Sequence, residues 1–521
     1  MHLGPIQLVF IILSVAIALA YLARRLKVAE PILFLLGGIG LALVPDLPAI
    51  ELEPDVVFLL FLPPILFSTA YFTPIRDFKA NARPILLLAI GLVLFTTAAV
   101  AAVALLIVPD MSLPVAITLG AIVAPPDAVA ATAVFQRMGA PRRLVTILEG
   151  ESLINDASSL IAYRAGVVAV ATGTFSLLGA GAGFAIAGIG GVIVGIVVGH
   201  VVTVALLRTG DPVLEIIVSV VASISAYLAA ELVGVSGVLA TVVAGLITGR
   251  RAARVLSPDA RLLGQGVWQT ITWLINAFVF MLIGLQLPEI IANLSAYSAA
   301  QLIGLGLAFS LTVIVARIAW VFPATYLPRR LSAALRKRDP APSRRTVFVV
   351  AWAGMRGAVS LAAALALTAD FPQRDLILFI TFCVILATLV GQGLTLPWLV
   401  RRLGVVSSVG RDNEETHARL AAVEAAVNRL QSLKAEYPEH LELIDTLRRE
   451  YDHEANHVWP DSKTTASEAE RERLDHQAIR TAVLLAEREA VIQLRDGGVI
   501  NDETLRLIER ELDLDALRTG S

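Results

Sequence analysis

Apolar residues in this chain run in long blocks broken by short polar loops, without the one-sided alternation of a soluble amphipathic helix. A helix that crosses a hydrocarbon core needs about 20 mostly apolar residues. Thirteen blocks qualify, at 3–23, 29–45, 55–72, 84–108, 113–136, 144–171, 176–207, 211–231, 235–250, 264–287, 298–327, 346–369 and 374–400, the second and ninth being short. The loops test the count, because Lys and Arg collect on the cytoplasmic side of membrane helices. The six loops after odd-numbered spans hold 21 of these cations, from Arg24, Arg25 and Lys27 to the seven between Arg329 and Arg345. The six even-numbered loops hold at most one, Arg374 at a helix edge. A wrong count would scramble that alternation. It predicts an N-terminus outside and a cytoplasmic tail entered through Arg401 and Arg402.

Beyond span 13 the pattern changes. Leu420, Val423, Val427, Leu430 and Leu433 recur at helical spacing over 413–436, and similar patterns run over 466–495 and 502–513, split by Asp496-Gly497-Gly498. Residues 1–406 carry 27 basic and 19 acidic side chains, whereas 407–521 carry 15 and 25. The expectation is a membrane domain over 1–406 and an acidic, helical cytoplasmic tail over 407–521. Composition agrees: 56% apolar against 17% charged residues lies outside the soluble range and excludes a soluble enzyme. The formal charge of −2 argues against nucleic acid as a partner. The single Cys383 forms no intrachain disulfide, and cysteine-based zinc patterns are excluded. The first apolar run is long and followed by its basic cluster, so it reads as a spanning helix instead of a cleaved signal.

Ionisable groups at membrane depth are costly and mark function by default. They are few: Asp127 in span 5, Glu149, Glu151, Asp156 and Arg164 in span 6, Glu215 at the start of span 8, Arg317 in span 11 and Arg356 in span 12. Asp127, Asp156 and Arg356 lie near the midpoints of their spans, which suggests one site. Span 5 contains Ala124-Pro125-Pro126-Asp127, and two prolines at mid-membrane break a helix. Such breaks free carbonyls and helix ends that bind ions in transporters. Gly354 and Gly357 around Arg356 suggest a second break in span 12. Spans 5 and 12 are seven apart, an odd offset that reverses direction, so spans 1–6 and 8–13 read as inverted repeats. On span 6, Ser152 and Asp156 share one stripe, and Glu151 and Asn155 share the next. A carboxylate one turn from a hydroxyl makes a hard oxygen site suited to Na⁺ or Li⁺, with Asp127 adding oxygens and Arg356 expected to pair with Glu151. Small residues at every fourth position of span 7 (Gly179, Gly183, Ala187, Gly191, Gly195, Gly199) read as tight packing within the bundle, with a dimer face as the alternative.

These residues resemble a known family. Gly150–Asp156 (GESLIND), Leu62-Pro63-Pro64-Ile65-Leu66-Phe67, the Pro126-Asp127 pair and Gly354-Met355-Arg356-Gly357-Ala358 together are similar to the signatures of the sodium/proton exchangers of the first cation/proton antiporter family, most of all its bacterial branch. The resemblance implies a 13-helix fold of inverted repeats, a homodimer and an elevator-like motion, with no cofactor. It implies that Asp156 binds either cation or proton, and that Asp127, Ser152 and the backbone carbonyl of Pro126 contribute oxygens. Glu151, Asn155 and Arg356 would form a supporting network, and Asn155 before the essential Asp would go with electroneutral exchange. Three positions depart from the usual pattern: Pro126 where a Thr is frequent, Ala128 where a Pro is frequent, and Ser68 where many members carry an acid.

The function expected is therefore Na⁺ (or Li⁺)/H⁺ antiport at the cell membrane, with K⁺/H⁺ antiport as the alternative. A different class is raised by His453-Glu454-Ala455-Asn456-His457, which fits the H-E-x-x-H zinc-protease pattern. Pro460 interrupts that helix and the tail offers no apolar cleft, so a solvated charged helix is the preferred reading.

Overall fold

The computed structural model describes residues 5–26, 28–44, 57–174, 176–405, 411–458 and 482–494, with single positions at 504, 508, 512 and 514. Among these there is helix and loop but no strand. All thirteen predicted spans fall on helices: α1 (Pro5–Leu26), α2 (Glu30–Ala42), α3 (a π-helical turn Val57–Phe61 leading into Leu62–Phe72), α4 (Ala82–Ile107), α5a (Leu113–Val123) and α5b (Ala128–Arg137), α6 (Arg142–Thr172), α7 (Leu177–Thr209), α8 (Pro212–Leu232), α9 (Gly237–Val255), α10 (Pro258–Asn293), α11 (Ala299–Leu331), α12a (Arg344–Trp352) and α12b (Ala358–Leu365), and α13 (Arg374–Leu403). The protein is an all-α membrane protein. Nine helical stretches among the described residues are long and apolar enough to cross a bilayer unaided. The others have visible causes. α2 and α3 are short, α9 ends in arginines, and α12 is broken.

Local chemistry sets the helix ends. Ser176, Asp211, Ser236, Ser257, Ser298 and Ser343 each accept a backbone N–H of the first turn that follows, filling donors a helix leaves open. Gly173, Gly210 and Gly404 end α6, α7 and α13 in the left-handed region, which only glycine enters without cost.

Contacts between loops sort by parity, as the charge pattern predicts. The loop after α3, the start of α6 and the linker after α11 line one cavity. At the start of α8, Glu215 accepts from the Ser257 N–H (2.9 Å) and hydroxyl (3.0 Å) in the loop after α9. Even-numbered loops meet each other instead. Gln373 donates to the Pro109 carbonyl, and Arg164 near the end of α6 pairs at 2.6 Å with Glu231 at the end of α8.

The small-residue stripe of α7 packs within the chain. A Cβ on Gly195 would meet Val243 at 2.7 Å, and one on Gly191 would meet Leu239 at 3.1 Å, so α7 and α9 approach almost backbone to backbone. The upper part of the stripe, Gly179 and Gly183, lines a cavity of about 400 Å³ with Arg164 and Glu231.

Residues 1–406 and 407–521 form two compact units. In the second, the helix expected over 413–436 is α14 (Arg411–Glu436), joined through a turn at Pro438–His440 to α15 (Leu441–Val458). Lys434 pairs with Asp445 at 2.6 Å across that turn. The helix expected over 466–495 is described only over 482–494, and the one over 502–513 lies outside the described residues apart from single positions. The His453–His457 motif lies on α15, with its side chains outside the described residues.

Candidate cation site at two crossed helix breaks

Both expected breaks are present. Backbone helicity stops over residues 124–127 and again over 353–357. The two breaks touch: the Asp127 N–H donates to the Met355 carbonyl at 2.6 Å. Four half-helix ends therefore meet at one point in the bundle. Half-helix C-termini carry partial negative charge and N-termini partial positive charge. The charged side chains answer this pattern. Arg356, fully buried, donates Nε to the Val123 carbonyl that ends α5a (3.2 Å), and its Nη1 reaches the Gly354 carbonyl just past α12a. Asp127 caps α5b, its Oδ1 accepting from the Val129 N–H at 2.8 Å. The same carboxylate lies against Gly357, the N-cap of α12b, where a Cβ would stand 2.6 Å from Asp127 Cγ.

The next helix in each repeat braces its break with one side chain. Asn155 of α6 donates Nδ2 to the Pro126 carbonyl at 2.8 Å. Thr388, in a π-helical turn of α13, accepts the Arg356 N–H at 3.0 Å. Both contacts come from the middle of the helix that follows the broken span. Ser152 also accepts, weakly, from the Ala128 N–H at 3.4 Å.

Asp156 lies one turn beyond Ser152 and is buried, close enough to Asp127 for their charges to interact. Among the described residues no hydrogen bond reaches its carboxylate, nor is either oxygen sealed from access. The structure thus gathers Asp127, Ser152, Asn155, Asp156 and the Pro126 carbonyl around the first break. The Pro126 carbonyl spends one lone pair on Asn155 and keeps the other.

Arg356 requires a correction. The expected Glu151–Arg356 ion pair is not formed. Glu151 pairs instead with Arg317 of α11, two parallel bonds of 2.5 and 3.0 Å between fully buried groups. Arg317 also donates to the Val350 carbonyl of α12a at 3.3 Å. The reason is local: the carbonyls at two helix breaks offer Arg356 acceptors that a continuous helix would not. Arg317 stood out in the sequence as a charge at membrane depth, yet nothing there gave it a partner. Two other ionisable groups are structural. Glu215 ties two loops, and Arg164 ties α6 to α8.

Exposure around the site is uneven. Arg142, Val145, Glu149 and Ser152 form an exposed or half-exposed stripe down α6, and Val129, Ala133 and Arg137 form one on α5b. Both stripes lead from the basic end of the bundle to Asp127 and Asp156. On the far side, residues 118–126 and 157–161 are all buried.

Two acidic side chains beside crossed helix breaks, inside an all-helical membrane bundle, define a secondary transporter of cations. The chain belongs to the sodium/hydrogen exchanger family: the family described as "Sodium/hydrogen exchanger, transmembrane" matches residues 11–402. It is similar over 99% of its length, at 34% identity, to an uncharacterized Na⁺/H⁺ exchanger of Mycobacterium tuberculosis, of which it covers 96%. It is 29% identical, over 98% of its own length and 77% of the relative's, to a sodium, potassium, lithium and rubidium/H⁺ antiporter of Bacillus subtilis. Its fold matches the sodium proton antiporter MjNhaP1 of Methanocaldococcus jannaschii with a TM-score of 0.59, at 20% identity, covering 78% of this chain and 99% of that one. The protein is a membrane cation/proton antiporter.

Proposed function

We propose that the protein exchanges Na⁺ or Li⁺ for H⁺ one for one, with Asp156 as the shared carrier. The observation that carries this reading is the Asp156 carboxylate, buried beside a helix break with no hydrogen bond reaching it among the described residues. The remaining oxygens nearby, from Asp127, Ser152 and Pro126, form a hard donor set that suits a small monovalent cation. A cation and a proton neutralise the same carboxylate, so occupancy by one excludes the other. Asp127 caps the N-terminus of α5b, lies against that of α12b, and keeps its charge through the cycle. Asn155 cannot titrate. One proton then leaves for each cation bound, and no net charge moves. Asn155 and Thr388 brace the breaks, Arg356 balances the half-helix C-termini, and Glu151 with Arg317 locks α6 to α11.

The loop charges assign the basic end to the cytoplasm, with the N-terminus outside and the tail inside. The exposed stripes then open the site inward, while the far side is closed and α6 is held to α8 by Arg164–Glu231. The working form is a homodimer in the cell membrane. Broader selectivity, K⁺ included, is the second reading, favoured by the name of the Bacillus subtilis relative and by Pro126, Ala128 and Ser68, which lack oxygen groups or rigidity found elsewhere in the family.

Two measurements in proteoliposomes test this. Na⁺ and Li⁺ should dissipate an imposed pH gradient at concentrations where K⁺ does not; equal responses would favour the second reading. A potential of about 100 mV, worth about 2.3 kcal/mol per elementary charge, should drive no Na⁺ uptake in the absence of chemical gradients. Potential-driven accumulation would rule out one-for-one exchange.

A further inference from the structure

A second polar cavity, of about 600 Å³, lies at the basic end of the bundle, away from the breaks. Its size is within the range of about 300–1,000 Å³ that holds small ligands. Five cations line it, Lys79, Arg83, Arg142, Arg143 and Arg338, from three separate segments of the chain. Two carboxylates oppose them. Asp77 pairs with Arg142 at 3.0 Å. Asp339 is shared among Arg83 (2.8 Å), Arg143 (2.8 Å) and Arg329 (2.7 Å). Burial pushes the Asp339 carboxyl up, but the bond and charge of Arg143 and the charges of Arg329 and Arg83 outweigh it and hold it below the usual carboxylate range. It stays ionised, yet one negative charge faces three guanidiniums. Arg83 Nη1 is buried and makes no hydrogen bond among the described residues. Lys79 and Arg338, both exposed, form no ion pair among the described residues. The first two turns of the 31-residue α6 add Arg142, Arg143 and Thr146 to the wall, and its N-cap Pro141 supplies no side-chain cap. Uncapped helix N-termini favour anions.

Convergent guanidiniums match the several oxygens of phosphate better than a single carboxylate. Basic pockets among helix ends lie at the level of lipid phosphates. We propose that this cavity binds a phosphate group, carried by an anionic phospholipid headgroup or by a free phosphate anion. Its occupant would brace the start of α6, the helix that carries Asp156, against α4 and the linker before α12.

The test uses the full chain in nanodiscs of phosphatidylcholine. Inorganic phosphate is titrated in one arm, and in the other phosphatidylglycerol replaces part of the lipid. Thermal stability and amide hydrogen exchange over 333–345 report binding. One arm or both should stabilise the wild-type protein and slow exchange there. Lys79→Ala with Arg338→Ala, which leaves the Asp339 cluster intact, should weaken the response at least about fivefold. Arg250→Ala with Arg254→Ala, removing equal charge at exposed sites outside the cavity, should leave it unchanged. A response to phosphate alone identifies the free anion, and a response only to phosphatidylglycerol identifies the headgroup. No response in the wild type, or equal losses in the two double variants, overturns the proposal.

Discussion

Glu151 and Arg317 are both sealed inside the bundle, and their two bonds of 2.5 and 3.0 Å leave each carboxylate oxygen satisfied. Removing one partner strands the other charge where water does not reach, at about 3–5 kcal/mol. That is a drop of roughly 10²- to 10³-fold or more in the folded-to-unfolded ratio, against a total stability on the order of 5–15 kcal/mol. The two single changes should not cost the same. Arg317→Met leaves one buried carboxylate. Glu151→Gln leaves two buried guanidiniums, Arg317 and Arg356, with no carboxylate bonded to either, and belongs at the upper end of the range. The double variant removes both charges and should recover about 2–3 kcal/mol relative to the sum. Denaturant unfolding of the detergent-purified chain, followed by tryptophan fluorescence, measures the cycle, with the monodisperse fraction as a check on yield. A parallel cycle of Glu151→Gln with Arg356→Gln should show weaker coupling, because the hydrogen bonds of Arg356 go to backbone carbonyls. Additive effects in the first cycle, or larger coupling in the second, would refute the pairing.

Asp156→Asn should insert and fold normally yet show no cation-driven dissipation of a pH gradient; substantial residual exchange would remove Asp156 from its role. Asp127→Asn keeps a competent cap for α5b, so it should fold while its apparent Na⁺ affinity falls at least about tenfold; near-normal affinity would reduce Asp127 to a cap. Gly357→Ala forces a methyl group into the Asp127 carboxylate, costing about 1–3 kcal/mol and raising KM for Na⁺; an unchanged KM would show that the carboxylate has room to move. Asp339 has a depressed folded-state pKa, so its contribution is present above the ordinary carboxylate range and is lost only as pH falls through the folded value. Hydrogen exchange over 333–345, corrected for intrinsic rate, should therefore be flat from pH 8 to 5 and rise below about 4; a rise near pH 6 would assign control of the linker to another group.

Much of this fold was legible because the bilayer imposes its own grammar. Span length and loop charge located every helix of the bundle, and the Pro125-Pro126 pair and the Gly354/Gly357 pair marked both breaks. Asp127, Ser152, Asn155 and Asp156 were legible as a group because they are polar where lipid demands otherwise. The partner of Glu151 was not. Arg317 and Arg356 both lie ten residues from the basic end of their predicted spans, so depth does not separate them. Helix adjacency and rotation decide between them, and neither is written in a periodicity when a helix is apolar on every face. The crossing of the breaks was hidden for a related reason. The bond from the Asp127 N–H to the Met355 carbonyl joins backbone to backbone, and no side chain announces it.

That bond also sets an order of events in biosynthesis. Its acceptor lies about 230 residues downstream of its donor, and a ribosome adding about 5–20 residues per second needs roughly 10–45 s to deliver it. The Val123 carbonyl waits through the same interval for Arg356. In hydrocarbon each unsatisfied backbone group costs several kcal/mol, so the first repeat leaves the translocon with its break uncompleted. It is half of a folding unit. The candidate cation site is then among the last parts of the bundle to close, and a nascent chain that stalls before α12 presents an open break to whatever surveys the membrane for unfinished proteins.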